Sequence, residues 1–408
     1  MISNILKNQD MIMDHLKNGP TFIYDLDRLS EHLNLLQKNC GDEIKLWYAC
    51  KANPLSSIIK ELKNHHFQFD VASSGELVQV LSCDVSPQHI LATGPGKNAT
   101  FFQKIFEKKI STIVIESFAQ LEMSDRYSKM YQHFPNILLR LQLEWNETEK
   151  SVLGGSSITP FGMDDQEAKR CLEFIPKTKL NFLGFHVFQW GNILVEEKLF
   201  SIWKKTLLHC KKLFPEFSVM DFGGGLGISY DQEHFSKLSS FSPLNWEKIL
   251  SQLKILKNEC NLKEIWLELG RFAVGPFGIY AATITEIKSV FHKKIIIIDG
   301  GIHHLARPAL VQESFPCEIL QNINNKNGNP STYSVHGPLC TALDHLGDYP
   351  FDETPKTGDT LLFFQTGAYG FTESMPYFLG HTLPSEIIMK NGIHQIIRPH
   401  QEASQWMK

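Results

Sequence analysis

Short apolar runs bounded by polar or turn residues recur along the first two thirds of the chain. They cover residues 45–50, 69–72, 89–93, 112–115, 137–143, 181–187, 217–222 and 264–269. Most are nearly continuous in apolar residues rather than alternating, as expected of parallel strands covered on both faces. Between them lie stretches with apolar residues at helical spacing, such as 55–63 and 199–214. Eight strand–helix alternations over roughly 240 residues match a (β/α)8 barrel. An open doubly wound sheet has the same rhythm, and periodicity does not separate the two. After Arg271 the rhythm changes. Residues 278–290, 295–299, 333–336 and 360–365 read as strands without long helices between them, separated by turn-rich pieces such as 322–330. That pattern predicts a C-terminal antiparallel β domain.

Composition narrows the class. With 408 residues the chain is long enough for two buried cores, and 42% hydrophobic with 21% charged residues is ordinary for a globular protein. A formal net charge of −4 without a basic block argues against a nucleic-acid or anionic-membrane partner. The first twenty residues are interrupted by Lys7, Asn8, Gln9, Asp10 and Asp14, so no secretory signal is expected there. The eight cysteines are scattered with no CxxC pair, which fits reduced thiols in a cytoplasmic protein better than disulfides or a zinc site. Seventeen histidines raise the question of a metal, but His65-His66 and His303-His304 lack ligand spacing, and no metal is expected.

Five short segments carry candidate chemistry. Lys51 ends the first strand, in Tyr48-Ala49-Cys50-Lys51-Ala52-Asn53. Barrel active sites form where strands end, and a lysine among apolar neighbours is an amine nucleophile toward an aldehyde. A solvated strand-end lysine is the plain alternative. Asp221-Phe222-Gly223-Gly224-Gly225-Leu226-Gly227 follows the seventh strand; consecutive glycines let backbone N–H groups converge on an anion, and also make ordinary tight turns. Glu268-Leu269-Gly270-Arg271 closes the eighth, either as a carboxylate for a pyridine nitrogen or as a structural ion pair. His336-Gly337-Pro338-Leu339-Cys340-Thr341-Ala342-Leu343-Asp344 puts an acid four residues after a cysteine, a proton-donor set or a packed thiol. Gly367-Ala368-Tyr369-Gly370 offers a phenol at a turn.

In order and placement these segments resemble the fold-type III pyridoxal-phosphate decarboxylases, the ornithine/diaminopimelate decarboxylase family, from about Thr21 to His381. Phe69-Asp70-Val71-Ala72-Ser73 is similar to that family's second-strand motif. The resemblance implies an alanine-racemase-like barrel of residues 25–275, with residues 1–24 and 276–408 forming a β-rich domain that contributes to a homodimer and its active site. It implies pyridoxal 5'-phosphate bound covalently to Lys51, with Glu268 at the ring nitrogen and His186 stacked on the ring. Asp70 orients the lysine side, and Gly224, Gly225, Arg271 and Tyr369 surround the phosphate. Cys340 and Asp344 are then catalytic and enter from the partner subunit, with Cys340 returning a proton to Cα.

Departures bear on the substrate. His186 is followed by Val187-Phe188-Gln189-Trp190, where the family has Gly-Ser, so a phosphate or substrate contact at Gln189 is changed. Leu269 replaces the usual proline. Thr341 replaces the acid that contacts a distal amine, and Arg307-Pro308-Ala309-Leu310 resembles the segment that holds a distal carboxylate. Thr341 and Arg307 are therefore the expected substrate contacts. Together with Thr93-Gly94-Pro95-Gly96-Lys97, they resemble the siderophore branch, which decarboxylates citryl conjugates of ornithine or diaminopropionate. Gly301-Ile302-His303-His304 is similar to a branch that acts on carrier-protein-bound amino acids. Other readings are a decarboxylase of free ornithine, lysine or diaminopimelate, a racemase on the same barrel, and a non-catalytic homologue.

Overall fold

The computed structural model describes residues 8–145, 155–232, 241–322, 330–352 and 354–407. Most of the turn-rich piece at 322–330, and residues 1–7, lie outside this set. Two compact units emerge. One comprises His32–Ile228 with Ser242–Ala273, the other Met1–Glu31, Ser229–Phe241 and Val274–Lys408.

The first unit is a closed barrel of eight parallel strands. They are β2 (Ile44–Ala49), β3 (Gln68–Val71), β4 (Ile90–Ala92), β5 (Thr112–Ile115), β6 (Asn136–Arg140), β7 (Asn181–His186), β8 (Val219–Asp221) and β9 (Glu264–Leu269). Closure comes from β9 pairing with β2, which excludes the open-sheet alternative. Trp47, Leu91, Val114, Leu138, Val219 and Trp266 form one buried apolar cluster, with Leu183 packed against it. Because side chains alternate along a strand, the residue two further on shares its face. Above Leu91, Val114, Leu138, Val219 and Trp266 come Thr93, Glu116, Arg140, Asp221 and Glu268. The apolar layer is thus followed by a polar one at the C-terminal mouth. In β7 the register slips opposite Ile137 and Leu138, so that His186 pairs with Arg140. The slip sits at Gly184 (φ 154°), where a Cβ would overlap the Val219 carbonyl.

Helix starts follow local chemistry. Ser73, Asn98, Ser117, Asp164 and Asn245 each accept a backbone N–H of the first turn with the side chain.

The second unit is a nine-stranded sheet. The strand β1 (Thr21–Asp25), near the start of the chain, lies at its centre between β10 (Gly278–Val290) and β16 (Ser385–Lys390). The remaining members are β11 (Lys293–Ile298), β12 (Cys317–Ile319), β13 (Ser331–His336), β14 (His345–Phe351), β15 (Thr360–Phe364) and β17 (Ile393–Arg398). Pairing is antiparallel except for β1 with β16 and β11 with β13. Helix α1 (Gln9–Leu16) contributes Ile12 and Leu16 to a core with Ile23, Ile279, Leu362, Phe364 and Met389. Among the described residues no helix is long and apolar enough to cross a membrane.

Candidate functional site

Lys51 leaves the barrel mouth in a single 3-10 turn, Cys50–Ala52, directly after β2. The turn is closed by the Tyr48 hydroxyl donating to the Asn53 carbonyl at 2.8 Å, and Asn53 Oδ1 accepts the Leu55 N–H at 3.1 Å. The Lys51 Nζ lies 3.9 Å from Asp70 Oδ2 and 5.9 Å from the centroid of the Phe188 ring. Asp70, buried at the end of β3, accepts the Thr93 hydroxyl at 2.5 Å. Burial pushes its carboxyl up to about 8, with repulsion from Glu268 in the same direction and Lys51 and Thr93 opposing.

Glu268 and His186 are both buried, with His186 Nε2 and Glu268 Oε1 3.1 Å apart. Burial depresses His186, so the neutral ring donates this bond. Burial alone pushes Glu268 up, but His186, Lys51 and Arg140 hold it down to about 2. A buried, ionised carboxylate at a barrel mouth is suited to a protonated ring nitrogen.

The turn after β8 starts with Asp221 Oδ1 accepting the Gly223 N–H at 2.8 Å. Gly223 and Gly225 take φ of 61° and 106°, a region open mainly to glycine. At Gly224 a Cβ would sit 2.5 Å from the Glu268 carbonyl oxygen. The N–H groups of Gly224 and Gly225 donate to nothing among the described residues. Two unused donors on a bare backbone fit a phosphate. Arg271 opens the short helix that follows β9. These residues fit pyridoxal phosphate: an amine, a carboxylate for the ring nitrogen and an anion cradle.

Two polar residues of the mouth, Arg140 and Glu116, escaped the sequence reading, and Lys97 was seen only as the end of the Thr93–Lys97 motif. Arg140 donates to Glu116 Oε1 at 3.3 Å and to the Phe188 carbonyl at 3.4 Å. Buried Lys97 donates to the Gly94 carbonyl at 2.6 Å and stands 3.9 Å from Glu116; burial brings its amine down to about 8. Reading two residues beyond each apolar-layer position would have found Glu116 and Arg140. Asp221, seen in the sequence only as part of the glycine motif, is wholly buried, and its Oδ2 has no hydrogen-bond partner among the described residues. Ligand atoms of His186, Asp221 and Glu268 lie within 4.8 Å of one another, a grouping compatible with a cation that histidine spacing did not foretell.

The departure at Gln189 has a structural explanation. Its Oε1 accepts the Leu143 N–H at 2.8 Å and the Trp145 indole at 3.1 Å, while its Nε2 donates to the Leu143 carbonyl at 3.0 Å. The side chain ties the loop after β7 to the loop after β6 and is committed to that task.

In the sheet unit, Cys340 is the one exposed thiol of the eight. Asp344 is buried, and its two oxygens accept the Ile302 and Leu339 N–H groups, each at 2.8 Å. The carboxylate therefore organises the loop that presents Cys340 and Thr341. Arg307 is buried and bonded to Glu313 Oε2 at 2.7 Å, with Glu373 at 3.8 Å. Half-buried Tyr369 holds a left-handed φ of 54° in the Gly367–Gly370 turn.

Residues 26–275 match the model of the pyridoxal-dependent decarboxylase family, pyridoxal binding domain. A decarboxylase of L-glutamyl acyl-carrier protein from Niallia circulans is 25% identical over 93% of this chain and 90% of its own length. A Staphylococcus aureus decarboxylase of 2-(L-alanin-3-ylcarbamoylmethyl)-2-hydroxybutanedioate is 26% identical, covering 90% of this chain and 93% of its own. In three dimensions the chain resembles diaminopimelate decarboxylase from Helicobacter pylori, with a TM-score of 0.85, 21% identity and 97% of each chain covered.

Proposed function

Since the chain belongs to the pyridoxal-dependent decarboxylases, we propose that it removes the Cα carboxylate from an amino-acid conjugate whose far end is anionic. The proposed class is a citrate amide of ornithine or 2,3-diaminopropionate, of the kind used to build citrate-containing siderophores. The observation that carries the reading is Thr341, a neutral residue beside the exposed Cys340. A free diamino acid would bring its distal ammonium to a threonine rather than a carboxylate at position 341, forgoing a contact worth roughly 2–5 kcal/mol when desolvated. The name of the S. aureus relative describes a citrate amide of 2,3-diaminopropionate, which has carboxylates at that end.

Bound at this site, pyridoxal phosphate supplies an electron sink for the carbanion left when CO2 departs. Lys51 holds it through its amine, with Asp70 orienting that amine from 3.9 Å. Glu268, fixed by His186, keeps a proton on the ring nitrogen. The N–H groups of Gly224 and Gly225, with Arg271 and Tyr369, meet the phosphate. Cys340 delivers a proton to Cα, and Asp344 acts by holding the Cys340 loop in shape. In this reading the loop serves the site of a second copy, making the enzyme a homodimer; exposed Leu343, Tyr377, Phe378 and Leu379 supply apolar surface for such a contact. Arg307 is already paired with Glu313 and Glu373, so a distal carboxylate reaching it would have to displace one of them.

The second reading takes an amino acid on a carrier protein, as named for the N. circulans relative, which also lacks a free distal ammonium. The test is kcat/KM on N-citryl-ornithine, citryl-diaminopropionate, free ornithine, free diaminopimelate and a carrier-bound glutamyl group. The proposal expects a citryl conjugate to exceed every free amino acid by tenfold or more. A faster free diamino acid would overturn it, and carrier-bound substrate alone would select the second reading.

A further inference from the structure

Asp70 and Glu268 are not the only buried acids of the barrel mouth. Asp221, at the end of β8, is wholly buried beside Glu268 and His186, with ligand atoms of the three within 4.8 Å of one another. Its Oδ1 is engaged by the Gly223 N–H at 2.8 Å, and its Oδ2 faces no hydrogen-bond partner among the described residues. One carboxyl group thus binds the glycine turn and stands within 4.8 Å of the proposed ring-nitrogen carboxylate.

We propose that Asp221 is a positioning residue for the cofactor: it fixes the start of the glycine turn, and it does so beside Glu268 without adding a second negative charge at the ring nitrogen. This rests on the proposed placing of phosphate and ring, and goes beyond it by giving Asp221 a task. Two carboxylates this close and this buried do not both ionise. Arg140 favours ionisation of both, but Glu268 also has the His186 hydrogen bond and Lys51 on its side, whereas Asp221 adds only one backbone amide. Burial and the neighbouring Glu268 push Asp221 well above the usual carboxylate range. The proton therefore stays on Asp221. A neutral acid can anchor the Gly223 N–H through its carbonyl oxygen and leaves Glu268 as the sole counter-charge for a protonated ring nitrogen.

Because the group works in its neutral form, an amide should replace it. The experiment compares wild type, Asp221→Asn and Asp221→Ala by titrating each apoprotein with pyridoxal phosphate and following the visible absorption band across pH. Circular dichroism and the melting temperature check the fold. Asp221→Asn is expected to bind within threefold of wild type with an unchanged pH profile of the band. Asp221→Ala is expected to bind at least tenfold more weakly. Wild-type-like binding by the folded alanine variant would overturn the proposal, and so would a tenfold loss in the asparagine variant. If the alanine variant does not fold, the asparagine variant decides alone by the same threshold. Failure of the wild type to bind the cofactor would instead sink the reading of the site on which this inference stands.

Discussion

Replacing Asp344 by alanine removes the two acceptors that hold the Cys340 loop together. The carboxylate is buried and takes the Ile302 and Leu339 N–H groups at 2.8 Å each, and Gly301 and Gly337 pack so closely against it that a Cβ on either would overlap its oxygens. No water-sized replacement restores a charged acceptor to both amides. Hydrogen bonds to a charged group contribute about 1.5–3 kcal/mol each, so the loop should lose roughly 3–6 kcal/mol of local stability. At about 1.4 kcal/mol per tenfold, amide exchange in the peptides carrying Ile302 and Leu339 should quicken by about a hundredfold or more. Barrel peptides should keep their protection, and the cofactor band should be unaffected. Decarboxylation should fall with the loop, because Cys340 loses its fixed position. Hydrogen-exchange mass spectrometry reads the first effect and steady-state turnover the second. Asp344→Asn, which retains one acceptor and turns N–H groups toward the other amide, should lie between wild type and alanine. Unchanged exchange at both peptides in Asp344→Ala would refute the assignment of this acid to the loop.

Other outcomes follow from the same geometry. Gly224→Ala places a Cβ 2.5 Å from the Glu268 carbonyl, and overpacking of this kind costs about 1–3 kcal/mol; pyridoxal phosphate affinity, measured by absorbance titration, should drop about tenfold, and an unaltered affinity would contradict the tight approach of turn and strand. His303 is buried and held neutral, its value brought down to about 3 by burial with His381 adding to it. The unfolded chain binds a proton at that residue near 6.5 while the folded one does not, so this contribution is complete above about pH 6.5 and is lost as pH falls toward 3, by at most roughly 5 kcal/mol. Urea midpoints should rise with pH over that window, and His303→Phe should flatten the rise; an equal slope in the variant would contradict it.

The strand rhythm made the barrel legible because its β-strands are buried on both faces and stay apolar throughout. Closure itself was not, since it rests on β9 meeting β2, a pairing across more than two hundred residues that periodicity cannot register. The central place of β1 was hidden for the same reason: its neighbours β10 and β16 come from the far end of the chain. Lys51, Asp70, His186 and Glu268 were visible as motif residues. Arg140 and Glu116 were not, because each ends or follows a strand with no local pattern, and only the shared face two residues above the apolar layer brings them together. Gln189 looked like an altered ligand contact, whereas its amide is spent on Leu143 and Trp145, a long-range tie no motif encodes. The hold of Asp344 on its loop was hidden because the Ile302 amide it accepts lies forty-two positions away.

Everything proposed for this site depends on the amine that carries the cofactor. Pyridoxal phosphate is added to the pure protein, the adduct is reduced with borohydride, and the modified peptide is mapped by mass spectrometry. The pyridoxyl group is expected on Lys51, next to Asp70, and absent in Lys51→Ala. Its appearance on the buried lysine of the mouth, Lys97, or on no lysine at all, would contradict the site described above.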